Sequence, residues 1–145
     1  MEPAGNWTLP PDTTAPGVAR HIVASALTAW RDSGDAVLVA SELVTNAVQH
    51  GLPPIEINLH LGTGRLRLTV SNAVGTTLNV PRIVAPGADE PDGRGLAIVE
   101  TLSTEWGWSN ADGMVSVWAE LIDSTVIDLA AMSGTHNCHR QTRVE

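Results

Sequence analysis

Glu42, Asn46 and His50 stand at intervals of four within the stretch Asp35–Gly51, DAVLVASELVTNAVQHG. On a helix that spacing stacks three unlike polar groups on one face over about two turns. A carboxylate there can take a proton. An amide carbonyl can give a Mg²⁺ ion one neutral oxygen while the ion keeps most of its waters, and an imidazole can bond a phosphate or order the carboxylate. The set suits phosphoryl transfer. Equal spacing also arises on helix faces that simply meet water, so the surrounding elements have to decide.

The stretch has a strong helix signal. Ala36, Ala40, Leu43 and Ala47 recur at helical spacing, widened by Val39, Val44 and Val48, which makes one face for a core. Asp35 is a natural N-cap, and Gly51 followed by Leu52, Pro53 and Pro54 is a natural stop. Ahead of it, Val18, Ile22, Ala26 and Trp30 mark a first helix closed by Asp32, Ser33 and Gly34. Downstream, Ile55, Ile57, Leu59 and Leu61 alternate with polar residues, as do Leu66, Leu68 and Val70 beyond the turn Gly62–Gly64. These two strands make a hairpin.

From Thr76 to Asp92 the chain carries Pro81, Pro86, Gly87 and Pro91 without a period, a long loop of the kind that in a compact domain serves function. It ends in DGRGLAIVETL, where Gly93 and Gly95 precede a helical pattern of Leu96, Val99 and Leu102. Glycines at a helix start allow close backbone approach, and the exposed N–H groups with the positive dipole end attract an anion, to which Arg94 adds charge. Taken alone, such a Gly-x-Gly is also an ordinary turn. A third strand over Glu105–Ser109, a turn at Asn110–Gly113 and a fourth strand over Met114–Ile122 follow.

Composition removes several classes. The 145 residues suit one domain of ordinary size. A net charge of −8 argues against direct nucleic-acid binding, which needs a basic face. All eight basic residues are Arg, so a Walker A loop, a protein-kinase strand lysine and a Schiff-base lysine are excluded. No apolar run is long enough for a membrane span and no signal-peptide pattern opens the chain. A soluble cytoplasmic protein is expected, and the single Cys138 agrees with a reducing compartment.

The ends read as accessory. Residues 1–16, with Pro3, Pro10, Pro11 and Pro16, read as a loose arm in which Trp7–Leu9 could pair as a short edge strand. Residues 17–122 form the domain proper. Residues 123–145 read as a flexible tail with a possible short helix, STVIDLAAM; His136, Cys138 and His139 there are too few and too close in sequence to make a metal site. The four Trp beyond Trp7 read as core or interface filler.

ELVTNAVQHG resembles the N-box, and GRGLAIVETL the glycine-rich second box, of the ATP-binding domain shared by histidine kinases, gyrase and Hsp90-type ATPases. Within that superfamily the chain is most similar to single-domain anti-sigma-factor serine/threonine kinases. The likeness runs from about Trp7 to Leu121 through the Ala-Arg pair of the first helix, both boxes, the hairpin and a last strand ending VWAEL. It implies a Bergerat-type α/β (α+β sandwich) fold, a mixed or mostly antiparallel sheet covered by helices on one face, with ATP between helices and a lid formed by Thr76–Asp92.

By the same resemblance Asn46 is the Mg²⁺ ligand, and Glu42 the base that accepts the proton of an attacking serine hydroxyl. His50 borders the phosphates, and Gly93, Arg94, Gly95 and Leu96 surround the triphosphate. Ser116 falls where relatives carry a threonine near the adenine, and Gly75 belongs to the adenine box. The implied partners are a sigma factor and a small antagonist (anti-anti-sigma) protein, with a homodimer to which the Trp7 arm contributes.

Three positions depart from the pattern. Asn72 stands where relatives place an aspartate that accepts a hydrogen bond from the adenine amino group; an amide oxygen still accepts, without charge assistance. Val74 and Thr76 flank Gly75 where further glycines are expected, and Val115 stands where relatives carry a lysine. The leading expectation is therefore an ATP- and Mg²⁺-dependent serine/threonine kinase. The alternative is a degenerate nucleotide-binding or nucleotide-free module that sequesters a regulatory partner without phosphotransfer.

Overall fold

The computed structural model describes residues 1–74, 91–123 and 140–144, with 91–94 and 140–144 as backbone alone. The chain runs β1 (Glu2–Leu9), α1 (Ala15–Ala26), α2 (Gly34–His50), β2 (Leu52–Gly62), β3 (Arg65–Ala73), α3 (Pro91–Leu102), β4 (Glu105–Ala111), β5 (Met114–Ile122) and β6 (Arg140–Val144). The strands form one sheet in the order β1-β2-β3-β5-β4-β6. All neighbours are antiparallel except β4 and β6. This is the mixed α/β architecture that the resemblance implies.

Alternation decides which face is covered. Ile55, Ile57 and Leu59 of β2 lie in register with Asn72, Val70 and Leu68 of β3, which in turn face Val115, Val117 and Ala119 of β5. The apolar ones are buried and join Val39, Leu43 and Val44 of α2 in one core, with Asn72 buried on the same face, because residues at period two share a sheet face. The other face carries Arg67, Thr69, Ser71, Ser116, Trp118 and Glu120. There Arg67 lies 4.2 Å from the centre of the Trp118 ring and donates to Glu120 at 3.3 Å, a cation–π contact and an ion pair on one guanidinium. Trp106 and Trp108 are buried on the helix side, as core filler.

The boundaries differ from the sequence expectations in instructive ways. The helix expected over Val18–Trp30 spans Ala15–Ala26. Pro16 fits its first turn, where no N–H is needed, and Ala15, Ala19 and Val23 make the buried face while Val18 is 39% exposed. Asp12 precedes it and accepts bonds from the Thr14 N–H at 2.8 Å and the Thr14 hydroxyl at 2.5 Å. Those two bonds hold its carboxyl below the usual carboxylate range. Asp35 is not the N-cap of α2: it lies in the first turn, and Asp32 Oδ1 accepts the Gly34 N–H at 2.8 Å instead.

The N-terminal arm is not loose. β1 pairs with β2 from Glu2↔Leu61 to Leu9↔Ile55, which gives partners to the backbone N–H and C=O groups of β1 that point at β2. Nor is the whole tail outside the fold, since Arg140–Val144 pairs with β4. The STVIDLAAM segment and the His136, Cys138 and His139 group lie outside the described residues. The turn between β4 and β5 is shorter than expected: Asp112 and Gly113 have φ 54° and 74°, the pair of left-handed residues a two-residue hairpin demands.

Candidate functional site

α2 is the middle helix, packed on α1 along one flank and on α3 along the other. Its core residues Ala36, Val39, Ala40, Leu43, Val44 and Ala47 are buried, which rolls Glu42, Asn46 and His50 onto a half-buried flank. On the α1 side, Arg20 donates to the Ser41 hydroxyl at 2.9 Å. On the α3 side the contact is steric.

A Cβ on Gly95 would stand 2.9 Å from Glu42 Oε2 and 3.8 Å from Glu42 Cβ. Only glycine leaves the carboxylate that space. α3 begins at Pro91, so Gly93 and Gly95 lie inside the helix and do not precede it as the sequence suggested. Proline tolerates a first turn, and a helix can carry glycine near its end at modest cost. The result sets Glu42 about one turn from the unpaired N–H groups and positive dipole end of α3. Leu96 is 3% exposed and belongs to the core.

The second contact is at the other end of α2. Gly51 follows His50, its N–H closes the helix on Ala47 O at 2.9 Å, and β2 starts at the next residue. A Cβ on Gly51 would lie 2.2 Å from Asn72 Nδ2 and 2.7 Å from Asn72 Cβ. Asn72 is 9% exposed, and its Nδ2 donates to the Ala73 carbonyl at 2.9 Å. One helix thus touches α3 through Glu42 and β3 through Gly51, roughly 13 Å apart along its axis, with Asn46 and His50 between.

Ser116 is not part of this arrangement. It lies in register with Ser71, and the two hydroxyls are 2.9 Å apart on the sheet face away from the helices. The neighbour that faces the helices is Val115, opposite Asn72, because a strand reverses its side chains at each residue. Gly75 and most of the expected lid lie outside the described residues, and for Gly93 and Arg94 only the backbone in the first turn of α3 is described.

Donor chemistry fits a nucleotide with its magnesium. The lack of a side chain on Gly95 makes room for the Glu42 carboxylate against α3, Asn72 offers an amide, and the Asn46 amide is one neutral oxygen of the kind Mg²⁺ accepts alongside waters and phosphate oxygens. Among the described residues no group of three or more His, Cys, Asp or Glu side chains could hold a metal by itself.

The sequence matches the histidine kinase-like ATPase domain over residues 9–119. The chain belongs to that family. ATP binding is the property the family name carries, and β1 lies almost wholly, and β6 wholly, outside the matched stretch. No curated protein gives a significant match. Among solved structures the chain is similar to the RsbU and RsbW domains of Rv1364c from Mycobacterium tuberculosis, at TM-score 0.61 and 21% identity, over 85% of this chain and 32% of that one. The chain therefore spans about a third of the protein it matches. That likeness is one of fold.

The steric role of Gly51 is not visible in the sequence. The residue was legible as a helix stop, yet its φ of −106° and ψ of 178° are extended values that any residue adopts, so a left-handed cap does not explain it. The available signal was the direct passage from His50 through Gly51 into strand β2 without a linker. Among the described residues no helix is long and apolar enough to cross a membrane.

Proposed function

We propose that this chain is an ATP- and Mg²⁺-dependent serine/threonine protein kinase that acts in the cytoplasm as an anti-sigma factor, binding a sigma factor and phosphorylating a small antagonist protein. The observation that carries the reading is the contact of Glu42 with Gly95 inside a histidine kinase-like ATPase domain. Support also comes from the two boxes, ELVTNAVQHG and GRGLAIVETL, and from a fold similar to a structure that includes an RsbW domain.

In this reading Glu42 takes the proton of the attacking serine or threonine hydroxyl as the hydroxyl oxygen bonds to the γ-phosphorus. ADP leaves with the electron pair of the bond that breaks. Asn46 gives one oxygen to Mg²⁺, and His50 with the backbone of Gly93, Arg94, Gly95 and Leu96 holds the phosphates through N–H donors and the helix dipole. Asn72 accepts from the base. Bound MgATP supplies the phosphoryl group and the cationic charge that offsets its oxygens. Two copies of the chain pair, with the β1 edge and Trp7 contributing.

The test is transfer of radiolabelled phosphate from ATP to a serine or threonine of a candidate antagonist, alongside sigma-factor capture with and without nucleotide. Transfer that needs Mg²⁺ and Glu42 supports the proposal. The neutral amide at Asn72, in place of a carboxylate, favours a second reading in which the chain sequesters a partner without chemistry; calorimetry with no heat at millimolar ATP and Mg²⁺ would select it.

A further inference from the structure

Asn72 is a group that could read a base in two ways. A free carboxamide presents either its oxygen, an acceptor, or its NH₂, a donor, by turning half a revolution. Here it is held. Nδ2 donates to the Ala73 carbonyl at 2.9 Å, and turning the amide would bring two carbonyl oxygens face to face at that distance, which the bonding pattern forbids. The same end of the amide packs on Gly51, where a Cβ would stand 2.2 Å from Nδ2 and 2.3 Å from Cγ.

The contact extends to Asn72 Cβ, at 2.7 Å from the position a Gly51 Cβ would take. That atom cannot swing away, because Asn72 lies in β3, paired with β2 and β5 on either side. A side chain at 51 would therefore part α2 from β3 or re-aim the amide. Gly51 is also not required for its backbone angles, as its φ of −106° is open to any residue. Its lack of a side chain is what the structure uses.

We infer that Gly51 is a positioning residue for base selection: it seats the Asn72 amide with Nδ2 turned inward, so that the ligand meets only an acceptor. An acceptor matches a purine that carries an exocyclic amino group and opposes one that carries a carbonyl there. A neutral asparagine then selects the same base as a carboxylate would. The inference rests on the reading that a nucleotide base lies against Asn72.

Binding of ATP and GTP to the full chain with Mg²⁺, by calorimetry, tests it. Wild type should favour ATP by about tenfold or more, the scale of leaving a buried acceptor opposed to a carbonyl. Gly51→Ala should bring the ratio towards unity, whereas a merely structural role would weaken both nucleotides together and leave the ratio alone. Should Gly51→Ala not fold, Asn72→Leu, which removes the amide and keeps the volume, tests the acceptor on which the inference depends: an unchanged ratio there overturns it. Equal affinities in wild type, or an undiminished ratio in the folded variants, would overturn the inference. No binding of either nucleotide to wild type is a different result, which removes the nucleotide reading and this inference with it.

Discussion

Glu42 and Gly95 touch across two helices: Glu42 Oε2 occupies space that leaves a Cβ on residue 95 only 2.9 Å away. A side chain on α2 and its lack on α3 are therefore one feature of the site. Glu42→Gln keeps the shape and removes the base. Phosphotransfer should fall by about 10²–10⁴ while ATP affinity, read by calorimetry, stays near the wild-type value; full transfer in this variant would remove Glu42 from the role.

Gly95→Ala acts on the same carboxylate from the other side. The atom it meets is the far end of a flexible side chain, so the fold should survive and Glu42 should turn. Transfer should drop at least about tenfold, as for a displaced catalytic group, with melting temperature changed by only a few degrees, or even raised because alanine is the better helix former. Steady-state transfer and a thermal melt on one preparation separate the two effects.

Ser116→Val is the contrasting substitution. Its hydroxyl meets Ser71 at 2.9 Å on the sheet face away from the helices, so ATP affinity should remain within about twofold, a few tenths of a kcal/mol. A loss of ten times or more would mean that the β3–β5 register differs from the one described.

Leu43 joins α2 to the sheet at 2% exposure. Leu43→Ala should cost about 2–5 kcal/mol of folding stability by leaving a cavity, measured by urea unfolding. A cost under about 1 kcal/mol would show that α2 is loosely seated.

Asp12 has its carboxyl held below the ordinary value of 3.8 by the Thr14 hydroxyl and N–H. A depressed value means that its contribution is fully present above the unfolded value and is lost as pH falls through the folded one. Asp12→Asn should therefore lower the melting temperature at neutral pH, and the gap from wild type should close as the buffer is taken below about pH 4. A gap that stays constant down to acid pH would assign the loss to packing.

The elements around the site were readable because each depends on near neighbours. The alternation of Ile55 to Leu61 and the stripe of Ala36 to Ala47 record which side of the chain faces apolar surroundings, and that pattern survives whatever the partner is. The boxes about Glu42 and Gly95 were legible through their resemblance to the motifs of a known ATP-binding domain. Where the expectations slipped, a distant partner decided: β1 is a strand because β2 lies beside it, and Arg140–Val144 because β4 does.

By itself, then, the sequence determined the helices and hairpins, the absence of lysine chemistry and the stripe Glu42, Asn46 and His50. Only the tertiary structure decided which atoms meet: Glu42 with Gly95, Asn72 with Gly51, and Ser116 with Ser71 on the far side. The reason is steric and long-range. Whether a missing Cβ is filled by a carboxylate or an amide depends on how helices dock on a sheet, and no local spacing records that distance.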